Sequence, residues 1–143
     1  MNNPKPVKSP IGMLQEDMWP DVWKILVVCS LHNQTSRKQV DKVYEELFET
    51  YPDPTAMSRA VHEELVQIIR PLGFYNRRAR VLVRMSKDYL EKDWNRASEL
   101  YGCGKYADDC YRVFCMGEWR DVQPTDHALN DYVDWLKKES KVA

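Results

Sequence analysis

The stretch after Pro20, from Asp21 to His32, constrains this chain more than any other, because Trp23, Ile25, Leu26, Val27, Val28, Cys29 and Leu31 leave it apolar on nearly every side. Three turns of helix that are apolar all round must be enclosed by other elements, and the acidic start suits a helix N-terminus, so a buried central helix is predicted. Its longest unbroken apolar run, Ile25 to Cys29, falls far short of the roughly eighteen residues that a membrane span needs. The enclosing elements must themselves be helical: only 5 glycines and 8 prolines punctuate the 143 residues, and the long segments carry apolar residues at helical rather than alternating spacing. One all-α domain over residues 10–139 is expected, with a Pro/Lys-rich flexible segment at 1–9 and a short tail at 140–143.

Along the chain, Ser36 caps a helix whose Val40, Val43, Tyr44, Leu47, Phe48 and Tyr51 share a face up to the Pro52/Pro54 break. A turn is expected at 55–60, then a helix from Glu63 to Arg70 that Pro71 and Gly73 end. Asn76 opens a further helix through Asp88 or beyond, with Ala79, Leu82, Val83, Tyr89 and Leu90 inward and Arg77, Arg78, Arg80 and Arg84 outward. Tyr101 to Lys105 supplies a Gly-x-Gly turn between two helices, the second carrying Tyr106, Cys110, Tyr111 and Phe114. Pro124, Thr125 and Asp126 mark the start of a last helix whose Leu129, Tyr132, Val133, Trp135 and Leu136 face the core.

The start of the chain lacks the apolar stretch of a secretory signal, so cytosol or nucleus is expected. The four cysteines, at 29, 103, 110 and 115, include no C-x2-C pair, which argues against zinc and an iron-sulfur cluster and for buried reduced thiols. A net charge of -1 ranks a small enzyme or an interaction module ahead of a DNA binder. That ranking changes once the charge is read locally. Between Leu65 and Lys87 stand six bases (Arg70, Arg77, Arg78, Arg80, Arg84, Lys87) and no acid, whereas Asp41 to Glu64 is acid-rich. Such a run is either a solvated helix face or a basic surface.

The turn Leu100-Tyr101-Gly102-Cys103-Gly104-Lys105-Tyr106 bears on that choice. Glycines there remove side chains that would block a close ligand, and the amides at the start of the following helix can hold a phosphate oxygen without reading a base. A helix C-cap with a tight turn explains Gly-x-Gly equally well. About twenty residues on, Asp126 opens the last helix, where a carboxylate serves either as an ordinary N-cap or as a reactive group.

Leu-x-Gly-x-Gly in a helix-hairpin-helix, followed by a loop and an aspartate at a helix start, resembles the helix-hairpin-helix DNA glycosylase superfamily of endonuclease III and the adenine-mismatch glycosylase. Within it, Trp23-Lys24-Ile25-Leu26, Asn33-Gln34-Thr35-Ser36, Arg70-Pro71-Leu72-Gly73-Phe74-Tyr75, Tyr101 to Tyr106, Asp126-His127-Ala128-Leu129-Asn130 and Asp134-Trp135-Leu136 are similar, in order and spacing, to the glycosylase domain of the methyl-CpG-binding-domain thymine glycosylases. The likeness covers roughly Ser9 to Lys138.

The resemblance implies removal of thymine or uracil mispaired with guanine, as a base excision repair enzyme acting on mismatched double-stranded DNA, monomeric and without a cofactor or metal. It assigns Asp126 as the catalytic aspartate and Tyr106 and Gln15 to the pocket for the extruded base. Phe74, leucine in those relatives, takes the wedge position. Gln34 takes the gap-filling position, where the thymine glycosylases carry arginine and endonuclease III glutamine. Gly102, Gly104, Lys105, Arg77 and Arg78 would hold the DNA backbone. The lyase lysine of endonuclease III falls at Tyr106, and Lys105, one residue away, would point about 100° off on a helix; a monofunctional glycosylase is therefore expected, in the nucleus of a eukaryote or otherwise the cytoplasm. A catalytically silent DNA-binding module, or a glycosylase of other base specificity, is the alternative.

Overall fold

The structure, a computed structural model, describes residues 8–142, with side chains to residue 140. All regular elements among the described residues are helical. The chain forms α1 (Leu14–Met18), α2 (Val22–Leu31), α3 (Arg37–Asp41), α4 (Tyr44–Thr50), α5 (Pro54–Ser58), α6 (His62–Ile69), α7 (Tyr75–Glu91), α8 (Lys105–Cys110) and α9 (His127–Val142), with short 3-10 turns at Arg70–Leu72 and Ala97–Glu99 and a π-helical turn at Tyr111–Cys115.

The apolar stretch becomes α2, the central helix. Asp21 caps it, its carboxylate accepting from the Lys24 amide at 3.0 Å, and Trp23, Ile25, Leu26, Val27, Val28 and Leu31 are sealed from solvent. α1, α7 and α8 pack against it. The Trp23 indole N–H donates to Ser86 Oγ on α7 at 2.9 Å and its ring meets Phe48 edge-on at 5.8 Å, so one side chain ties α2 to α7 and α4. α7 lies across α5 and α6, burying Ala79, Leu82 and Met85.

Five expectations change. The helix expected from Ser36 to Tyr51 is two, because the backbone leaves helical register at Val43, whose buried side chain still continues the apolar face. The turn expected at 55–60 overlaps α5, started by Asp53 accepting from the Ala56 amide with Pro54 in the first turn, a position that suits proline's fixed φ. Leu90 is 47% exposed rather than inward, since it lies past the last contact of α7 with the core. α9 continues through Val142, so the expected tail is its final turn, with Ala143 outside the described residues. At the other end, residues 1–7 of the expected flexible segment lie outside the described residues, but Ser9 is tied down: its amide and hydroxyl donate to Glu16 at 2.6 and 3.1 Å, and Lys8 pairs with Asp17 at 2.9 Å. Cys29, Cys110 and Cys115 are buried and Cys103 half-buried, and no disulfide joins them among the described residues.

Candidate active site

A cleft of about 990 Å³ opens between the α1–α2 region, the 73–78 turn into α7, the glycine hairpin and the start of α9. All ten residues singled out from the sequence line it: Gln15, Gln34, Phe74, Arg77, Arg78, Gly102, Gly104, Lys105, Tyr106 and Asp126.

The floor is built by α1 and α8. The Glu16 carboxylate accepts from the Met13 amide at 2.6 Å, fixing the first turn of α1 and with it the buried Gln15. Gln15 Nε2 donates to the Tyr106 hydroxyl at 2.8 Å and lies 3.5 Å from Cys29 Sγ and 3.9 Å from Cys110 Sγ. Burial drives the Tyr106 phenol far above its ordinary pKa, with nearby Cys110, Cys29 and Asp126 adding to the shift and Gln15 opposing it. The phenol is thus a neutral hydroxyl throughout the working range.

Asp126 is the N-cap of α9: Oδ2 accepts from the Leu129 amide at 2.9 Å. The cap and the reactive carboxylate are compatible readings, because among the described residues Oδ1 has no hydrogen-bond partner and the residue borders the cleft. Asp126 is the one carboxylate among the residues lining the cleft, against Arg37, Arg77, Arg78 and Lys105.

Gln34 and Phe74 share an unusual backbone conformation. They are the two non-glycine residues with positive φ among the described residues, at 60° and 45°. Both are exposed, Phe74 at 70%. Left-handed backbone is unfavourable for bulky side chains and collects at functional loops. Here it holds an amide and a phenyl ring out at the mouth of one cleft.

The hairpin follows α7 through a single 3-10 turn at Ala97–Glu99. Tyr101 fastens it to α7, its amide donating to Asp88 at 2.8 Å and its ring lying under the Arg84 guanidinium at 4.4 Å. Gly102, at φ +76°, sits so close to α7 that a Cβ would come within 2.6 Å of Val81 Cγ1. Gly104 instead has open space where its Cβ would be, as a backbone surface for an approaching ligand requires.

Two of the expected backbone-binding cations are otherwise engaged. Arg78 is not on the outward face of α7: it is 8% exposed, and its guanidinium donates to Gly73 O and Asn33 O, both at 2.8 Å. Burial lowers its pKa, and the carbonyls take the place of water around the charge. Lys105 folds back, its ammonium on Asp109 at 2.6 Å and Gln123 O at 3.0 Å. Arg77, Arg80 and Arg84 remain on the exposed face.

His32 and Arg37 also line the cleft and were not singled out from the sequence. His32 Nδ1 is 2.9 Å from Val28 O, which can only accept, so Nδ1 carries the proton and Nε2 is left as an acceptor. Burial holds the imidazole pKa below its ordinary value and Arg37 adds to this; the Val28 carbonyl, Asp126 and Asp41 oppose it. The signal that could have found it is its place, one residue before the Asn33-Gln34-Thr35-Ser36 motif at the end of the central helix.

A glycine hairpin on an all-helical frame, leading through a pocket helix to a carboxylate at the next helix start, is the layout of a helix-hairpin-helix protein of the DNA glycosylase type. The profile of the HhH-GPD superfamily base excision DNA repair proteins matches residues 27–138, and the chain belongs to this family. It is 41% identical over 137 residues to a methyl-CpG-binding domain protein 4-like protein of Arabidopsis thaliana, covering 96% of this chain and 31% of that protein. It is 36% identical over 94 residues to a thymine-DNA glycosylase of Aeropyrum pernix, covering 60% and 42%. The chain thus spans less than half the length of these relatives. In fold it is similar to endonuclease III in a trapped covalent complex with DNA, with a TM-score of 0.61 at 23% identity, covering 83% of this chain and 71% of the other.

Proposed function

We propose that this protein is a monofunctional DNA glycosylase that hydrolyses thymine or uracil from mispairs with guanine and leaves an abasic site. The observation that carries the reading is Asp126, a lone carboxylate among the residues lining a cleft with four cations. The relative named a thymine-DNA glycosylase supports the base class. A base within a duplex cannot be reached at its glycosidic carbon, so the nucleotide must be extruded, at a cost of a few kcal/mol that is least at a mispair. Phe74 and Gln34 would enter the vacated stack while Arg77 and the Gly102 and Gly104 backbone hold phosphates. The extruded pyrimidine would meet the Gln15 amide and the Tyr106 hydroxyl. The C1′–N1 bond breaks with its electron pair on the departing base, the ionised Asp126 carboxylate stabilises the oxocarbenium character of the sugar and orients water, and as water bonds to C1′ its proton passes to Asp126 and from there, through solvent, to the released base. Tyr106 supplies no amine for a Schiff base, and Lys105 is held by Asp109 and Gln123 O, which favours hydrolysis without strand cleavage.

The test uses labelled duplexes containing G·T, G·U, A·U or G·C. Alkali-dependent cleavage at the two mispairs is expected, without cleavage before alkali and without a borohydride-trapped adduct. No abasic product from any thymine or uracil duplex overturns the reading and leaves a silent DNA-binding module; a trapped adduct overturns the monofunctional part.

A further inference from the structure

Arg78 is a buried charge for which DNA contact provides no account. Its Nε donates to Gly73 O and its Nη2 to Asn33 O, each at 2.8 Å. Those two carbonyls belong to the peptide groups that lead into Phe74 and Gln34. The orientation of a peptide plane relative to the following residue is that residue's φ, so one edge of one guanidinium grips the planes that set both left-handed conformations, φ 45° and φ 60°. The two loops are 40 residues apart in sequence (34 to 74) and come from different helices, α2 and α7. Among the described residues the other hydrogen bonds at each loop are local: Asn33 N–H to Ser30 O at 3.2 Å, Thr35 N–H to His32 O at 3.3 Å and Thr35 Oγ1 to Leu31 O at 2.5 Å on one side, Gly73 N–H to Arg70 O at 3.1 Å and Arg78 N–H to Phe74 O at 2.9 Å on the other. Arg78 crosses between them.

We propose that Arg78 is a positioning residue that presets Gln34 and Phe74 as a coupled pair, so that both enter the duplex as a unit already in their inserting conformations. The inference rests on the proposed glycosylase reading for what the pair does, but not for how it is held. Strained backbone persists only where the surroundings over-determine it. A planar fork with two parallel donors can hold two carbonyls at once, which a lysine ammonium, a single point charge on a flexible stem, does not reproduce.

The bracing is tested first without DNA. In Arg78→Lys and Arg78→Met, NMR hydrogen exchange at the Thr35 and Gly73 amides is expected to accelerate in both loops, while core amides of α2 keep their protection. Unchanged exchange in either loop overturns the coupling. Function is then tested by single-turnover excision from G·U duplexes and by fluorescence of 2-aminopurine placed beside the mispair. Arg78→Met is expected to lower the rate and the extruded fraction about tenfold, and Arg78→Lys to recover little of either. The same substitution in a Gln34→Ala/Phe74→Ala background is expected to change the rate less than about twofold, because the residues through which it acts are gone. An equal loss in both backgrounds means that Arg78 is only structural, and overturns the proposal. Absence of excision by the unsubstituted protein sinks the glycosylase reading but leaves the exchange result standing.

Discussion

Asp126 has two uses that respond differently to substitution. Asn keeps an oxygen for the Leu129 amide but cannot deprotonate water, so Asp126→Asn should lose excision by several orders of magnitude while mismatch binding and melting temperature hold. Asp126→Ala removes the cap as well, and a further loss of about 1 kcal/mol of stability by denaturant unfolding is expected. Equal destabilisation by both variants would reduce Asp126 to a helix cap. His32 gives a prediction in pH. Burial lowers its folded-state pKa below the usual 6.5, so the unfolded chain binds the proton more readily. The neutral ring therefore contributes stability in full above pH about 6.5, and this contribution falls as pH drops through that value toward the lower folded pKa. The Asp126 and Asp41 charges oppose the shift but do not reverse its direction. Thermal melts between pH 7.5 and 5 should fall more steeply for the unsubstituted protein than for His32→Leu.

Among the elements, helices with a stripe and a cap were legible and those defined by tertiary contact were not. The Asp21 and Ser36 caps and the Asp126 start signal each mark a helix observed in the structure. The division of the 36–51 segment at Val43 was hidden because its apolar spacing runs on across the break. α1 has five residues and too little stripe to show, and it is held by Glu16 reaching back to Ser9 and Met13. The same limit applies at the cleft. The resemblance marked ten of the lining positions, but the inward turn of Arg78 depends on two carbonyls, Asn33 O and Gly73 O, that no side-chain pattern reports. The hairpin offers a test at this scale. Gly102 combines φ +76° with a 2.6 Å approach of any Cβ to Val81, so Gly102→Ala should destabilise by about 2 kcal/mol and loosen the hairpin. Val81→Ala in the same chain removes the clash but not the unfavourable φ, and should restore only part of that loss in a denaturant titration.

For the molecule as a whole, a formal charge of -1 conceals a separation. Residues 41–64 hold seven acids against two bases, and residues 65–87 six bases and no acid. On α7 the successive positions 77, 80, 84 and 87 fall within one sector of the helix. Three of them, Arg80, Arg84 and Lys87, continue from cleft-lining Arg77 along an exposed face toward the hairpin, where Arg84 covers Tyr101. Long-range attraction to DNA is therefore weak, while a duplex lying along α7 would meet local positive charge. Each phosphate neutralised contributes about -0.9 to the slope of log K against log salt. Replacing Arg77 and Arg80 together by Ala should make that slope shallower by about 2. The weakening should be equal on matched and mismatched duplexes, because phosphate contacts position the protein without reading sequence. Titrations at several salt concentrations on both duplexes decide the point. A loss confined to the mispair, with an unchanged slope, would move these arginines from the backbone to the lesion itself. An unchanged affinity on either duplex would leave α7 as a solvated helix face and confine DNA contact to the cleft and hairpin.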